Sequence, residues 1–291
     1  MQLTISNISK TYSNGVQALQ QVNLSIGKGM FGLLGPNGAG KSSIMRTLAT
    51  LQDPDAGEIL FDGWNIFTER DRFRHLLGYL PQDFGVYPNV NAADLLDYFA
   101  RLKGISNAKQ RKAHVEHLLE LVNLTSARDK NVDTFSGGMR QRFGIAQTLI
   151  GKPKIIIVDE PTAGLDPAER NRFYGILHRL GDDAIVILST HIVCDVTNLC
   201  KDMAILSSGK IQARGVPTDL IKKIDGQLWQ KNIVPADLEH YRNKFKVIAT
   251  RLNQGEIQAV IQSKSNPGDG FVSKKADLED FYFSYIPELA V

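Results

Sequence analysis

The residues with the clearest chemistry form one short glycine-rich loop. An apolar run, Met30 to Leu34, precedes it, and a helix-like stretch, Ser43 to Leu48, follows it. The loop has the spacing G-x-x-x-x-G-K-[ST] and consists of Gly35, Pro36, Asn37, Gly38, Ala39, Gly40, Lys41 and Ser42. Glycines let the backbone wrap a phosphate with its N–H groups inward, and the helix that follows presents its positive end. Lys41 would reach the β- and γ-phosphates and Ser42 would hold magnesium, so the loop predicts a nucleoside triphosphate site.

Three further segments carry groups that could act on a phosphate. The apolar run Ile155 to Val158 is followed by two carboxylates, and the apolar run Ala184 to Leu188 is followed by His191. A histidine at a strand end is more often an ordinary surface residue. The segment Ser136 to Gln141 opens a helix with Ser-Gly-Gly, where backbone N–H groups could approach a phosphate. The phosphate loop alone leaves GTPases, kinases, helicases and transport ATPases open.

The composition is that of an ordinary globular protein. The 291 residues are 43% hydrophobic and 22% charged, with a formal net charge of +3. No basic block indicates a nucleic-acid partner. We expect no signal peptide, and no apolar run approaches the roughly 20 residues of a membrane helix. Any role at a membrane is therefore expected to depend on a partner. Cys194 and Cys200 have no metal or redox spacing and are predicted to be small core residues.

Hydrophobic periodicity predicts an α/β fold with a helical insertion. Strand-like alternation occurs at the N-terminus, and the continuous apolar runs after residue 150 are typical of a parallel sheet buried on both faces. Pro167 to Leu180 has the character of a crossover helix between them. Apolar residues recur at helical spacing from Asn91 to Ile150. A hairpin is predicted at Met203 to Ala213, and a helix-like tail covers Ala276 to Tyr285.

Taken together, these motifs resemble the ATP-binding subunit of an ABC transporter, in the family's order from Met1 to about Leu220. The resemblance implies a P-loop NTPase with a RecA-like core, an antiparallel β-subdomain and a helical insertion at about 88–150. It implies one nucleotide-binding domain over residues 1–220. Residues 221–291 are expected to form a small α+β accessory element.

The resemblance also implies roles for single residues. Asp159 corresponds to the aspartate that orients magnesium through water, and Glu160 to the general base. Gln82 would touch magnesium and the attacking water, and His191 would contact the γ-phosphate. Tyr12 stands where the family stacks an aromatic ring on adenine, although a plain strand-edge aromatic is the alternative.

In the family, the signature segment of one chain completes the phosphate loop of another. A head-to-tail dimer, either a homodimer or a pair with a paralogue, would thus enclose two ATP molecules. ATP is expected on Tyr12, Gly35, Pro36, Asn37, Gly38, Ala39, Gly40, Lys41, Ser42 and Ser43 of one chain and on Ser136, Gly137 and Gly138 of the other. Mg²⁺ is expected on Ser42, Gln82 and Asp159.

Two segments depart from the common family pattern. The signature reads Phe-Ser-Gly-Gly-Met instead of Leu-Ser-Gly-Gly-Gln, and Ala163-Gly164-Leu165-Asp166 replaces Ser-Ala-Leu-Asp. Neither removes a group on which the predicted chemistry depends. Met139-Arg140-Gln141, the segment Gln82 to Pro88 and the acidic, aromatic segment Leu278 to Phe283 resemble the branch that serves type 2 membrane subunits, which are mostly exporters.

The resemblance implies a cytosolic ATPase that powers a separate transmembrane permease from the inner face of the membrane. A soluble ABC ATPase that remodels a ribosome, DNA or a metal-cluster scaffold is the alternative. A P-loop switch or kinase without a dimer leaves Ser136 to Gln141 unexplained. Phe84, Val86 and Tyr87 are expected to border the groove that receives a permease helix; the alternative is a small buried cluster.

Overall fold

A computed structural model of the chain describes residues 1–85, 87–253 and 255–286, which form three sheets surrounded by helices. The strands are β1 (Gln2–Thr11), β2 (Gln17–Gly27), β3 (Gly29–Leu34), β4 (Ala56–Phe61), β5 (Trp64–Asn65), β6 (Leu77–Leu80), β7 (Ile155–Asp159), β8 (Ile185–Thr190), β9 (Asp202–Ser207), β10 (Lys210–Gly215), β11 (Leu228–Ile233), β12 (Lys246–Asn253), β13 (Glu256–Gln262) and β14 (Val272–Ser273). The helices are α1 (Lys41–Leu48), α2 (Arg70–Leu76), α3 (Ala92–Leu102), α4 (Ala108–Leu121), α5 (Gly137–Thr148), α6 (Pro167–Leu180), α7 (Val193–Leu199), α8 (Pro217–Lys222), α9 (Leu238–Lys244) and α10 (Leu278–Tyr285).

The N-terminal sheet is antiparallel and has the strand order β2-β1-β4-β5. Its apolar side chains alternate along the strands, so that Leu3, Ile5 and Ile59 are buried on one face. They belong to the same apolar cluster as Ile44 and Leu48 of α1. The antiparallel β-subdomain predicted from the sequence is therefore present, and it packs against the helix that follows the phosphate loop.

The six-stranded sheet has the order β10-β9-β3-β8-β7-β6, and its neighbouring strands are parallel except for the β9–β10 hairpin. Every residue of β7 and β8 is buried, as expected for parallel strands covered by helices on both faces. The carboxyl ends of β3, β6, β7 and β8 meet at one edge of this sheet. The phosphate loop, Gln82, Glu160 and His191 follow those four ends directly.

The helical insertion lies between β6 and β7 and consists of α3, α4 and α5. Asn91, Asn107 and Ser136 cap these helices, because each side-chain oxygen accepts a hydrogen bond from the backbone N–H three residues later. Leu96 and Leu118 of the insertion belong to the same apolar core as Val158 of β7. The insertion is therefore packed onto the sheet that carries the strand-end carboxylates.

The C-terminal region contains a separate antiparallel sheet with the order β12-β13-β11-β14, together with α9 and α10. Asp277 caps α10, whose first residue is Leu278 rather than Ala276. Val260 and Phe281 from this region share an apolar core with Val196 of α7. The expected domain boundary at residue 220 falls inside α8, and the division into two units stays a prediction.

Within the described ranges, no helix is both long enough and apolar enough to span a bilayer. Cys200 is buried, as predicted, but Cys194 is exposed and the prediction for it is wrong. The buried face of α7 includes Asp195, Val196 and Leu199, and Cys194 lies on the opposite face of the helix.

Candidate active site

The phosphate loop connects β3 to α1 in a backbone conformation that requires glycine. Gly40 has φ +103°, and a Cβ there would collide with the carbonyl oxygen of Ala18. No side chain caps α1 at Gly40. The first N–H groups of α1 therefore remain available to an anion at the helix N-terminus.

Lys41 lies folded over its own loop, with only 5% of its side chain exposed. Its Nζ donates to the carbonyl oxygens of Gly35 at 2.8 Å and Pro36 at 3.1 Å. The same Nζ lies 3.1 Å from Oε1 of Glu160. The ammonium group is thus held beside the strand-end carboxylate by three oxygen partners.

Glu160 connects three of the strand ends. It has φ +48°, which is uncommon for a residue with a Cβ, and its N–H donates to the Ser189 carbonyl oxygen at 3.1 Å. Its Oε2 lies 3.1 Å from Nδ1 of His191. Both carboxylate oxygens are therefore paired, one with Lys41 and one with His191. The sequence did not predict this arrangement of the three side chains.

Asp159, the residue before Glu160, is buried at the end of β7, with 3% exposure. It accepts a hydrogen bond from the hydroxyl of Ser189. Burial raises the pKa of Tyr79 to about 12, and the nearby charge of Asp159 adds to that effect. Tyr79 therefore remains a neutral phenol beside the carboxylate at physiological pH.

The predicted nucleotide residues meet in an open cleft of about 660 Å³. The predicted residues that line it are Tyr12, Asn37, Gly38, Gly40, Lys41, Ser42, Ser43, Gln82, Glu160 and His191. Gly35, Pro36, Ala39 and Asp159 lie in or behind the loop and do not line the cleft. The hydroxyl of Tyr12 lies 3.0 Å from the Ser43 Oγ and 3.2 Å from the Gln52 Oε1, so two polar contacts fix its ring at the cleft.

The oxygen atoms at this cleft fit a hard divalent cation. Ser42 and Gln82 line the same cleft, and the Asp159 carboxylate lies behind it. No group of three or more His, Cys, Asp or Glu that could hold a metal occurs in the part of the chain that the structure describes. This donor set suits Mg²⁺, which keeps several waters and is bound mainly through one or two carboxylates and the phosphates of a substrate.

The signature segment does not line this cleft. Ser136 caps α5 by accepting a hydrogen bond from the Met139 N–H at 3.3 Å. Among the described residues that line the phosphate cleft, none comes from 88–150. Ser136, Gly137 and Gly138 therefore do not line the cleft that contains Lys41, and Gly137 lines a smaller neighbouring pocket together with Gln82 and Ala163.

A buried ion pair ties the signature helix to α6. Arg142 Nε lies 3.2 Å from Glu169 Oε2, and an Nη of Arg142 donates to the Asn123 carbonyl oxygen at 2.9 Å. Gly138 faces the same glutamate, because a Cβ there would come within 2.7 Å of Oε2. Neither Arg142 nor Glu169 belongs to a motif whose spacing indicates this contact, so the sequence does not predict it.

The loop after Gln82 is divided between core and surface. A Cβ on Gly144 of α5 would come within 2.7 Å of the Phe84 ring, so Phe84 packs inward as the buried-cluster alternative expects. Tyr87 is 55% exposed, and its ring lies 6.5 Å from those of Tyr98 and Phe99. Val86 lies outside the described residues.

Comparison with known proteins identifies the family. Residues 19–163 match the family described as "ABC transporter". The linearmycin resistance ATP-binding protein LnrL of Bacillus subtilis (strain 168) is 34% identical over 226 residues, which cover 77% of this chain and 72% of LnrL. The daunorubicin/doxorubicin resistance ATP-binding protein DrrA of Streptomyces peucetius is 33% identical over 264 residues, 90% of this chain and 77% of DrrA. Some other relatives are longer, and the match spans 29% to 34% of their length.

A solved structure extends the likeness to the reaction. The dimeric, post-hydrolysis ATP-binding cassette MJ0796 bound to ADP and Pi has a TM-score of 0.67 and 25% sequence identity to this chain. The superposition covers 74% of this chain and 98% of the cassette. Three observations agree: the P-loop fold, the cleft that contains a lysine and a strand-end glutamate, and the likeness to LnrL, DrrA and the MJ0796 cassette. The chain belongs to the ABC transporter family and is an ATP-binding subunit that hydrolyses ATP.

Proposed function

We propose that this subunit pairs head-to-tail with a second nucleotide-binding domain and drives a separate transmembrane permease. The observation that carries the proposal is that Ser136, Gly137 and Gly138 do not line the cleft that contains Lys41 and Glu160, so a single chain does not place its own signature residues in that cleft. The N-terminus of α5 from a second chain would complete this cleft by presenting its N–H groups and its positive end to the γ-phosphate. One set of motifs per chain then requires a homodimer or a paralogue as partner.

Within each shared site, the chain's own groups divide the work. Lys41 and the first N–H groups of α1 bind the β- and γ-phosphates. Ser42, Gln82 and Asp159 would hold Mg²⁺, which would supply positive charge against the phosphates. Glu160 accepts a proton from the attacking water.

The switch histidine and the second chain act on the γ-phosphate from two sides. His191 contacts it from the end of β8, where the ring already lies beside Glu160. Ser136 and the two glycines of the second chain present the positive end of α5 to the same group. The γ-phosphate thereby connects the two chains, so that hydrolysis weakens the dimer and opens it.

Tyr12 is proposed to stack on the adenine ring at the far end of the cleft. Replacing Tyr12 with alanine should weaken ATP binding by about fivefold, since such stacking contributes on the order of 1 kcal/mol. Binding of inorganic tripolyphosphate should not change, because it has no ring. Titration of each variant with both ligands measures the difference. Equal affinities of Tyr12→Ala and the parent chain for ATP would assign Tyr12 the strand-edge role instead.

A surface groove next to the helical insertion is proposed to receive the permease. Leu51, Phe99, Leu102, Lys103 and Gln147 are among the residues that line this insertion groove, whose volume is about 360 Å³. Leu51 and Leu102 are 63% and 65% exposed. Tyr87 stands at its edge beside Phe99, five residues after Gln82. An amphipathic helix with apolar anchors fits such a groove.

The insertion groove predicts a clear separation of two properties. Tyr87→Ala combined with Leu102→Ala should leave the melting temperature close to that of the parent, because both side chains are exposed. The rate of basal ATP hydrolysis should stay within about twofold of the parent rate. Association with the permease and transport should be lost. A photoreactive residue at position 87 should crosslink to a polytopic membrane protein in native membranes, which also identifies the permease.

Leu252 provides the matched control, since it is 78% exposed on β12, in the separate C-terminal sheet. Leu252→Ala and a photoreactive residue at 252 should leave transport and crosslinking to the permease unchanged. Crosslinks from position 87 to ribosomal proteins alone would replace the transporter proposal with a soluble remodelling ATPase. Normal transport by the double variant would remove the insertion groove from the proposal.

Export is the proposed direction, and the inner face of the cell membrane is the proposed location. LnrL and DrrA are both named for drug resistance. Each alignment covers more than two thirds of this chain and more than two thirds of the relative. The C-terminal helix α10, with its acidic and aromatic residues, is the further feature that resembles the exporter-associated branch. Accumulation of substrate inside vesicles that display this subunit on their outer surface would agree with export.

A further inference from the structure

A second buried carboxylate lies close to the site and has no role in the chemistry described above. Asp195 is fully buried in the first turn of α7, four residues after His191. Its Oδ2 accepts hydrogen bonds from Thr162 Oγ1 at 2.6 Å and Thr190 Oγ1 at 2.7 Å. Its Oδ1 accepts a third from the Tyr174 hydroxyl at 2.5 Å.

The two threonines belong to the two segments that carry the proposed base and switch. Thr162 follows Glu160 by two residues, and Thr190 is the last residue of β8, directly before His191. Both threonines are buried, with 0% and 1% exposure. One carboxylate oxygen therefore joins two catalytic segments that the sheet alone connects only through β7 and β8.

The hydroxyl partners explain why an acid occupies this position. A carboxylate only accepts hydrogen bonds, so all three hydroxyls can donate to it at once, whereas an amide would turn a donor toward one of them. Burial and the bond to Asp195 both raise the pKa of Tyr174 above its usual value, which keeps that hydroxyl a donor.

We propose that Asp195 is a positioning residue that sets the placement of His191 relative to Glu160. It acts through Thr190 on the switch segment and through Thr162 on the segment that leads to Ala163, which lines the cleft. The inference rests on the proposed roles of Glu160 and His191. Asp195 of α7 thereby keeps the segment of Glu160 and the segment of His191 in a fixed relative position.

The test removes single hydroxyls at constant side-chain shape. Thr190→Val and Thr162→Val should each lower kcat by roughly tenfold to a hundredfold, with KM for ATP within about twofold, because small misplacements of catalytic groups have effects of this size. Thr190→Ser and Thr162→Ser keep the hydroxyl and should restore kcat to near the parent value. Tyr174→Phe removes a hydroxyl from the same carboxylate but on α6, and should change kcat less than about threefold.

A purely structural role predicts a different pattern. In that case Tyr174→Phe would lower kcat as much as the valine variants, in proportion to the fall in melting temperature, and the proposal would be overturned. Unchanged kcat in both valine variants would overturn it as well. Glu160→Gln, measured in parallel, separates the two levels: if it remains active, the proposed base is wrong, whereas an inactive Glu160→Gln with normal valine variants refutes the positioning role alone.

Discussion

Replacing Glu160 with glutamine is expected to slow ATP hydrolysis at least about a hundredfold, because the side chain can no longer accept a proton from water. Glutamine keeps the shape of the residue, and the backbone N–H bond to Ser189 is unaffected. ATP binding should therefore persist, and a closed dimer should accumulate in the presence of ATP. Steady-state phosphate release and size-exclusion chromatography with ATP measure the two effects.

Two variants serve as controls for this result. Glu120 is an exposed acid on α4, and Glu120→Gln should hydrolyse ATP at the parent rate. Lys41→Ala should instead weaken nucleotide binding itself, since Lys41 is proposed to hold the phosphates. Near-normal turnover by Glu160→Gln would show that another group accepts the proton.

Mixing two inactive variants is expected to restore activity. Lys41→Ala damages the phosphate loop, and Gly137→Asp places a negative charge where the second chain is proposed to meet the γ-phosphate. Nothing lies within 4 Å of a Cβ at Gly137, so the substitution fits the fold, unlike one at Gly138 against Glu169. In a mixed dimer both defects fall on one site and leave the other intact. With random pairing, the mixture should reach about a quarter of the parent activity.

The neutral, equally large Gly137→Asn is the matched control for the charge. It should retain substantially more activity than Gly137→Asp, because it does not repel the phosphate. Mixed dimers must be demonstrated by isolating them through two different affinity tags. Isolated mixed dimers that are as inactive as either parent variant would contradict the shared site.

Strong local signals made parts of the fold predictable. The strands β7 and β8 are continuous apolar runs, and α6 has the expected bounds because Asp166 caps it and Pro167 fits its first turn. The sequence did not predict the bounds of the four-residue strand β6 or the strand pairing of the C-terminal sheet. Short strands carry little periodicity, and the pairing of β11 with β13 depends on residues far apart in sequence.

In the candidate site, too, some residues could be predicted from the sequence and some contacts could not. The geometry of a backbone wrapped around a phosphate requires certain residue types at fixed spacing in the phosphate loop. Its residues could therefore be named directly from the sequence. The contacts of Arg142 with Glu169 and of Asp195 with Thr190 could not, because each joins segments that only the folded sheet brings together. Phe84 was left with two alternatives, and the small residue Gly144 on a distant helix decided its position.

The pairing of Lys41 with Glu160 has a consequence for how tightly the subunit can bind ATP. One carboxylate oxygen of the proposed base Glu160 lies 3.1 Å from the Lys41 Nζ, and the other lies 3.1 Å from the His191 Nδ1. A γ-phosphate that draws both groups toward itself would release the carboxylate only when there is something to hydrolyse. On the proposed roles of these residues, ATP binding must displace Lys41 from Glu160 before the carboxylate can accept a proton. Part of the free energy of ATP binding is then used to break this pair, so affinity is lower than the loop alone could give.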